Sequence, residues 1–425
     1  MRANRLGHTR IDRTRLGVLG ASVAGNCVNG LVAGTLLSIV LVPLSKDFGW
    51  SRASITGVGA VVAPVNIFLP ILVGWLGDRI GARRILMLGN LGFALSLAAA
   101  SMVPPNLWVF YLTFIAIAIL GHVTGPLLFG KIIAGWFDAK RGTAMGLVAG
   151  LGNGLSTIVF PIVAAVLLTK FGWRGAYLGT SIIVALIGFP PMFLFLRDRP
   201  KGKAVQRQAA AGEADVSVKD ALRTRSYWML ALAMALGSGC MMSVLSHTVP
   251  ALTDRGFSLA QAVPVVTCIS LTGMLAQMGV GTLMDRVRSP WLAAPLYGMS
   301  VIGIQLIMHG TALPVVLLGG ALLGVGVGTE FAILPLLLSS YYGVTHYGKI
   351  AGATYSGILL VGGVLPFLLD WSFDVTGSYI SGFTGMQVAL IAGVVLISCL
   401  PPICRRPVVK TASAFEPTVM SGQTG

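Results

Sequence analysis

Twelve runs of apolar residues, each long enough to cross a lipid bilayer, constrain this chain more than any other feature. They fall near 16–44, 53–76, 85–103, 107–136, 142–169, 175–196, 226–252, 258–284, 290–310, 313–342, 350–370 and 380–403. A helix needs about 20 apolar residues to span the hydrocarbon core, and only helices or closed barrels satisfy their backbone there. Runs of this length and apolarity read as helices. The expected fold class is therefore an all-α membrane protein with twelve transmembrane helices.

Composition supports that reading. Hydrophobic residues make up 55% of the 425 and charged residues 10%, against about 25% charged in soluble domains. The 55 glycines suit membrane helices that pack closely. A net charge of +16 raises the question of a nucleic-acid partner, but its distribution answers it. With the N-terminus inside, 24 of the 30 Lys and Arg fall in inside segments and 5 outside, leaving Lys131 within a span. That asymmetry follows the positive-inside rule, so both termini are expected on the cytoplasmic side of an inner (plasma) membrane, with no nucleic acid involved. The five cysteines lack metal-ligand or redox spacing,. No Ser/His/Asp, metal or phosphate-cradling constellation appears. Neither an enzyme, a cofactor nor a metal is expected.

The chain also echoes itself. Gly74-Trp-Leu-Gly-Asp78-Arg79 matches Gly281-Thr-Leu-Met-Asp285-Arg286 at an offset of 207, and Gly142-Thr-Ala-Met-Gly146 matches Gly348-Lys-Ile-Ala-Gly352 at 206. Phe48-Gly-Trp-Ser-Arg-Ala matches Gly256-Phe-Ser-Leu-Ala at about 208. Three matches in one order indicate duplication of a six-helix unit, an architecture that places a solute site between repeats. The polar stretch 197–225 reads as a cytoplasmic linker with a short amphipathic helix. It separates a first half, 1–196, from a second half, 226–425, with a short cytoplasmic tail.

Gly74-Trp75-Leu76-Gly77-Asp78-Arg79-Ile80-Gly81-Ala82-Arg83-Arg84 closely resembles the loop motif G-x-L-[AG]-D-R-x-G-R-[RK]-x of the major facilitator superfamily. The resemblance covers the whole chain, including the weaker second copy and Phe171-Gly172-Trp173-Arg174 between spans five and six. It implies the major facilitator fold and a gating role for Gly74, Asp78, Arg79, Gly81, Arg83 and Arg84, with Lys140, Arg141, Asp285 and Arg286 at the equivalent loops. A narrower resemblance is to the monocarboxylate transporter and oxalate:formate antiporter branch. It rests on Trp136-Phe137-Asp138-Ala139-Lys140-Arg141-Gly142-Thr143-Ala144-Met145-Gly146-Leu147-Val148-Ala149-Gly150 and on Gly49-Trp50-Ser51-Arg52. Carriers of that branch usually place a carboxylate-pairing arginine in span eight. This chain has Gln277 there, and Gly273 where some members carry an aspartate.

Polar residues inside spans are costly and mark solute or proton pathways. Glu330 lies about 18 residues into span ten, where a carboxyl group can take and release a proton as the surroundings change. His122 occupies nearly the pseudo-symmetric position in span four and is expected to face Glu330 across the cavity, or else to be a packed core histidine. Lys131 is nine residues further on, on the opposite helix face; it is either an anion-binding charge or a side chain snorkelling to the cytoplasmic end. Asn26 and Asn29 offer neutral donors and acceptors one turn apart, with interhelical hydrogen bonding as the alternative. His247 ends a polar stripe with Cys240 and Ser243 in span seven. The resemblance puts spans one, four, seven and ten around the central cavity.

The expectation is a secondary transporter that moves a small, monocarboxylate-like organic anion by alternating access, coupled to protons, as a monomer in the lipid bilayer. An efflux carrier for amphipathic or cationic compounds is the second reading, and a transporter-like ligand sensor the third.

Overall fold

The computed structural model describes residues 13–137, 140–198, 216–287 and 289–402. The N-terminal arm with Arg2, Arg5 and Arg10, most of the central linker and the tail lie outside the described residues. The spans are α1 (Arg13–Phe48), α2 (Ser54–Arg79), α3 (Ala82–Ser101), α4 (Leu107–Trp136), then a 55-residue stretch, Arg141–Phe195, and α7 (Arg225–Asp254), α8 (Leu259–Val287), α9 (Pro290–His309), α10 (Leu313–Tyr342), α11 (Tyr347–Thr376) and α12 (Tyr379–Ser398). The long stretch is two spans. Gly172 interrupts it at φ 68°, ψ −178°, a backbone conformation that a side chain disfavours, giving α5 (141–171) and α6 (173–195). Twelve spans result, as expected, in two six-helix halves.

Most boundaries shift by a few residues from the sequence reading, and two of the shifts have a plain local cause. The last span stops at Ser398 instead of 403, because Pro401 and Pro402 cannot continue a helix. The third begins at Ala82, with Gly81 at φ 108° turning the chain before it. The expected linker helix is present as Val218–Arg223, with the Ser217 hydroxyl accepting from the Asp220 N–H.

Each half fastens its third helix by an arginine. Arg174 donates to the carbonyl oxygens of Ser101 and Val103 (2.9 and 3.4 Å) at the end of α3 while stacking on Trp173. Arg255 donates to those of Ile307 and Gly310 at the end of α9. Cations at helix C-termini satisfy orphan carbonyls and oppose the helix dipole.

The buried apolar core is divided unevenly. One cluster joins the halves at the end of the bundle carrying Arg79–Arg84, linking Val73, Leu128, Ile133 and Met145 to Leu334, Tyr347 and Ile350, and continues through the second half to Leu252, Ala262 and Met308. A second, from Val28 to Val184, belongs to the first half alone. The halves are thus knitted together at one end, called the basic end here, and the first half keeps a core of its own towards the other.

Candidate functional site

At the basic end the repeat motifs meet one another. Gly74 of α2 lies against Gly348 of α11, so closely that a methyl group on either would overlap the other's carbonyl oxygen. Gly142 of α5 meets Gly281 of α8 in the same way. Glycine permits such backbone approach between membrane helices. Beside each contact an aspartate caps the facing helix. Asp78 accepts from the backbone N–H of Gly348 (3.1 Å) and Lys349 (2.9 Å). Asp285 accepts from the N–H of Gly142 and Thr143 and from the Thr143 hydroxyl, all at 2.7 Å. A carboxylate at a helix N-terminus satisfies free donors and the positive end of the dipole. The two internal sequence matches are therefore the two sides of a duplicated clasp.

The basic residues of this region divide. Lys131 is placed by its ammonium, which donates to Asp78 at 2.6 Å and to the Gly77 carbonyl at 2.7 Å. That pairing takes it into the clasp and away from the solute cavity, where one of the two sequence readings put it; the ion pair with a half-buried environment is cheaper than an isolated charge in the bundle. Arg141 is buried between the halves, donating to the Phe137 carbonyl and the Ser339 hydroxyl of α10. Arg83 donates to the Phe193 carbonyl, and its N–H meets the Asp198 carboxylate. Arg79 stacks over Trp75 at 5.2 Å, while Arg84, Lys140 and Arg286 are exposed.

Above the clasp lies a cavity of about 410 Å³. All its lining residues except Phe331 of α10 and Tyr355 of α11 come from α1, α2, α4 and α5. Two of these helices are broken at its wall. α1 is interrupted at residues 28–30 and α4 at Thr124 and Gly125, with Pro126 starting the next segment. The breaks touch, Gly30 lying against the backbone of Gly121. Irregular backbone at membrane depth is tolerated where it lines a cavity. The α1 break is held by an asparagine cluster. Asn153 of α5 accepts from the amides of Asn26 (3.2 Å) and Asn29 (3.0 Å). Asn26 also donates to the Val148 carbonyl, and Asn29 accepts from the Leu31 N–H that begins the second segment. Interhelical bonding thus accounts for both Asn26 and Asn29, and Asn29 faces the cavity as well.

His122 lines the cavity beside the Gly30–Gly121 contact, and its imidazole makes no hydrogen bond to the described residues. None of the lining residues is Asp, Glu, Lys or Arg. Glu330 is buried (5% exposed) and does not line the cavity. Its carboxyl is approached by the Ser238 hydroxyl of α7, and Tyr355 lies close enough to feel its charge. The expected juxtaposition of His122 and Glu330 across an open cavity is therefore not formed; the ring of Tyr355 belongs to the wall and Glu330 to the interior of the second half. His247 bonds to Asp370 of α11 at 2.8 Å, Asp370 being 60% exposed. Span seven contributes no lining residue to this cavity, because Cys240 and Ser243 turn into the core of the second half. Gln277 is buried against Gly146 and Gly150 of α5, its Oε1 unpartnered, and also lies off the cavity wall. Asn66, Asn153, Phe331 and Tyr355 complete the wall without having been singled out in the sequence. The Gly125-Pro126 dipeptide was a readable break signal.

The Major Facilitator Superfamily sequence pattern matches residues 23–366, and the chain belongs to that superfamily. It is accordingly a multi-pass membrane transporter for small molecules and not an enzyme. Within the superfamily it is similar to monocarboxylate transporters: monocarboxylate transporter 11 of Mus musculus is 26% identical over 409 residues, covering 89% of this chain and 86% of that protein. Among solved structures, FucP in its outward conformation superposes with a TM-score of 0.69 at 13% identity, covering 90% of this chain and 98% of that one. The human organic anion transporter MFSD10 gives a TM-score of 0.68 at 18% identity, with 90% and 99% covered. At those identities the structures speak to the fold.

Proposed function

We propose that this protein carries organic monocarboxylic acids across an inner membrane by alternating access, coupled to proton movement. The observation that carries the reading is the cavity itself, which joins the similarity to a monocarboxylate transporter over 89% of the chain with a wall whose one imidazole, His122, is unpartnered. The basic end is taken as cytoplasmic. The Asp78 and Asp285 clasps, with Lys131 and Arg141, hold that end shut and release it when the halves rock. Gln277 supplies no cation, so the acid is held without an arginine in α8. Glu330 is the proton-coupling group, reached from the cavity past Tyr355.

The test is uptake into proteoliposomes under an imposed pH gradient. Glu330→Gln is expected to abolish acid-driven accumulation and alkalinisation of the medium while leaving exchange of labelled for unlabelled substrate intact. If alkalinisation persists in that variant, Glu330 is not the coupling group. The uncharged, apolar wall favours a second reading, export of amphipathic compounds. Sensitivity of a deletion strain to a compound panel, together with absence of acid uptake, would select it.

A further inference from the structure

We infer that the acid carried is amphipathic, with its carboxyl end at His122 beside the α1 and α4 breaks and a hydrocarbon body of about six carbons or more extending along the wall. This deepens the proposed function and rests on it.

Three observations point there. Besides Asn66 of α2, the polar groups of the first-half wall gather at one level: Asn29 and Asn153 are hydrogen-bonded to each other, and His122 adjoins Gly121, which touches Gly30. Away from that level, along the segments that run from the breaks towards the end opposite the clasp, the wall is hydrocarbon. It is made by Leu31 and Leu37 of α1, Val58 and Val62 of α2, and Phe114 and Ile117 of α4. From Gly121 to Phe114 is seven helical residues, an axial depth of about 10 Å at 1.5 Å per residue. Finally, about 410 Å³ lies within the range of sites that enclose drug-sized ligands. A three-carbon hydroxy acid would leave most of it to water against apolar side chains, an arrangement with little to gain from binding. The amides of Asn26 and Asn29 are already committed to Asn153. Polar recognition of the cargo therefore falls to His122 with the few neutral groups of Asn66, Asn153 and Tyr355, and apolar contact must supply the rest.

The test is binding of a 2-hydroxy acid series to the full-length protein in lipid nanodiscs: lactate, 2-hydroxybutyrate, 2-hydroxyhexanoate and 3-phenyllactate. The hydroxyl keeps the acids from partitioning freely into lipid. Burial of each methylene is worth about a fourfold gain in affinity. Kd is expected to fall by about that factor per carbon to the six-carbon acid, with phenyllactate at least about tenfold tighter than lactate. Ile117→Ala should weaken the six-carbon acid by about fivefold and leave lactate unchanged. Because a cavity variant can misfold, each is checked by its thermal midpoint; the wild-type series carries the test by itself. A flat series, lactate binding as well as the longer acids, overturns the inference and leaves the acid-carrier reading standing. If no acid in the series binds, the acid-carrier reading falls and the inference with it.

Discussion

The clasp at the basic end can be broken by exchanging one heavy atom. Asp78→Asn keeps the shape of the side chain but removes its charge. The carboxylate is 7% exposed and faces a lysine ammonium at 2.6 Å together with two backbone N–H groups of α11. An amide NH₂ in its place points a donor at donors and leaves Lys131 without its anion. Removing one partner of a buried pair costs about 3–5 kcal/mol, and the lower figure suits a lysine that is 18% exposed. The Lys131 pair joins α4 to α2 inside the first half and weighs on both states alike; only the two N–H contacts, made with α11, bear on the state closed at this end. Hydrogen bonds to a charged group contribute about 1.5–3 kcal/mol each, so at 1.4 kcal/mol per tenfold the balance between closed and open should move by at least about tenfold. The expected result is read by Ser339→Cys, a position buried beneath Arg141, in a background without the native cysteines. Its labelling by a maleimide from the basic side should accelerate by at least tenfold in Asp78→Asn. Asp285→Asn should do the same through α5. If labelling changes by less than twofold in a variant that folds and inserts, the carboxylates are not what holds this end shut.

Three further perturbations separate packing from chemistry. Gly281→Ala places a methyl group on the Gly142 carbonyl, and should raise Ser339→Cys labelling as Asp285→Asn does while lowering the thermal midpoint. Asn153→Ala removes the acceptor shared by Asn26 and Asn29 and should destabilise the fold by about 1–3 kcal/mol, seen as a lower unfolding midpoint in detergent. Gln277→Arg restores the cation common in related carriers, but at a position packed on Gly146 and Gly150. It should speed Ser339→Cys labelling and weaken closure, with no gain in acid affinity in the closed state.

The sequence displayed the lengths of the helices, their division into halves and the components of the clasp with little ambiguity. Gly74, Asp78, Gly281 and Asp285 were visible because the same backbone geometry is built twice and needs the same residues twice. Lys131 was not assignable, since its partner is 53 residues away on another helix and its spacing along α4 is compatible with either face. The cavity wall was still less legible. In a soluble protein polarity tells which helix face points outwards, but lipid is as apolar as leucine. Helix rotation therefore leaves only a faint trace in the sequence of a membrane bundle. That is why Glu330 and His122 could be placed at similar depths although only His122 lines the cavity, and why Cys240 and Ser243 of span seven proved to be core.

The cavity is not shared evenly between the halves. Its wall belongs to the first half apart from Phe331 and Tyr355, so a bound solute rides on one half as the two move. The second half can register whether the seat is filled only where it touches it, through those two rings. Any difference in rocking rate between a loaded and an empty carrier must pass through them, and shorter side chains at both would leave the second half unable to distinguish passenger from vacancy.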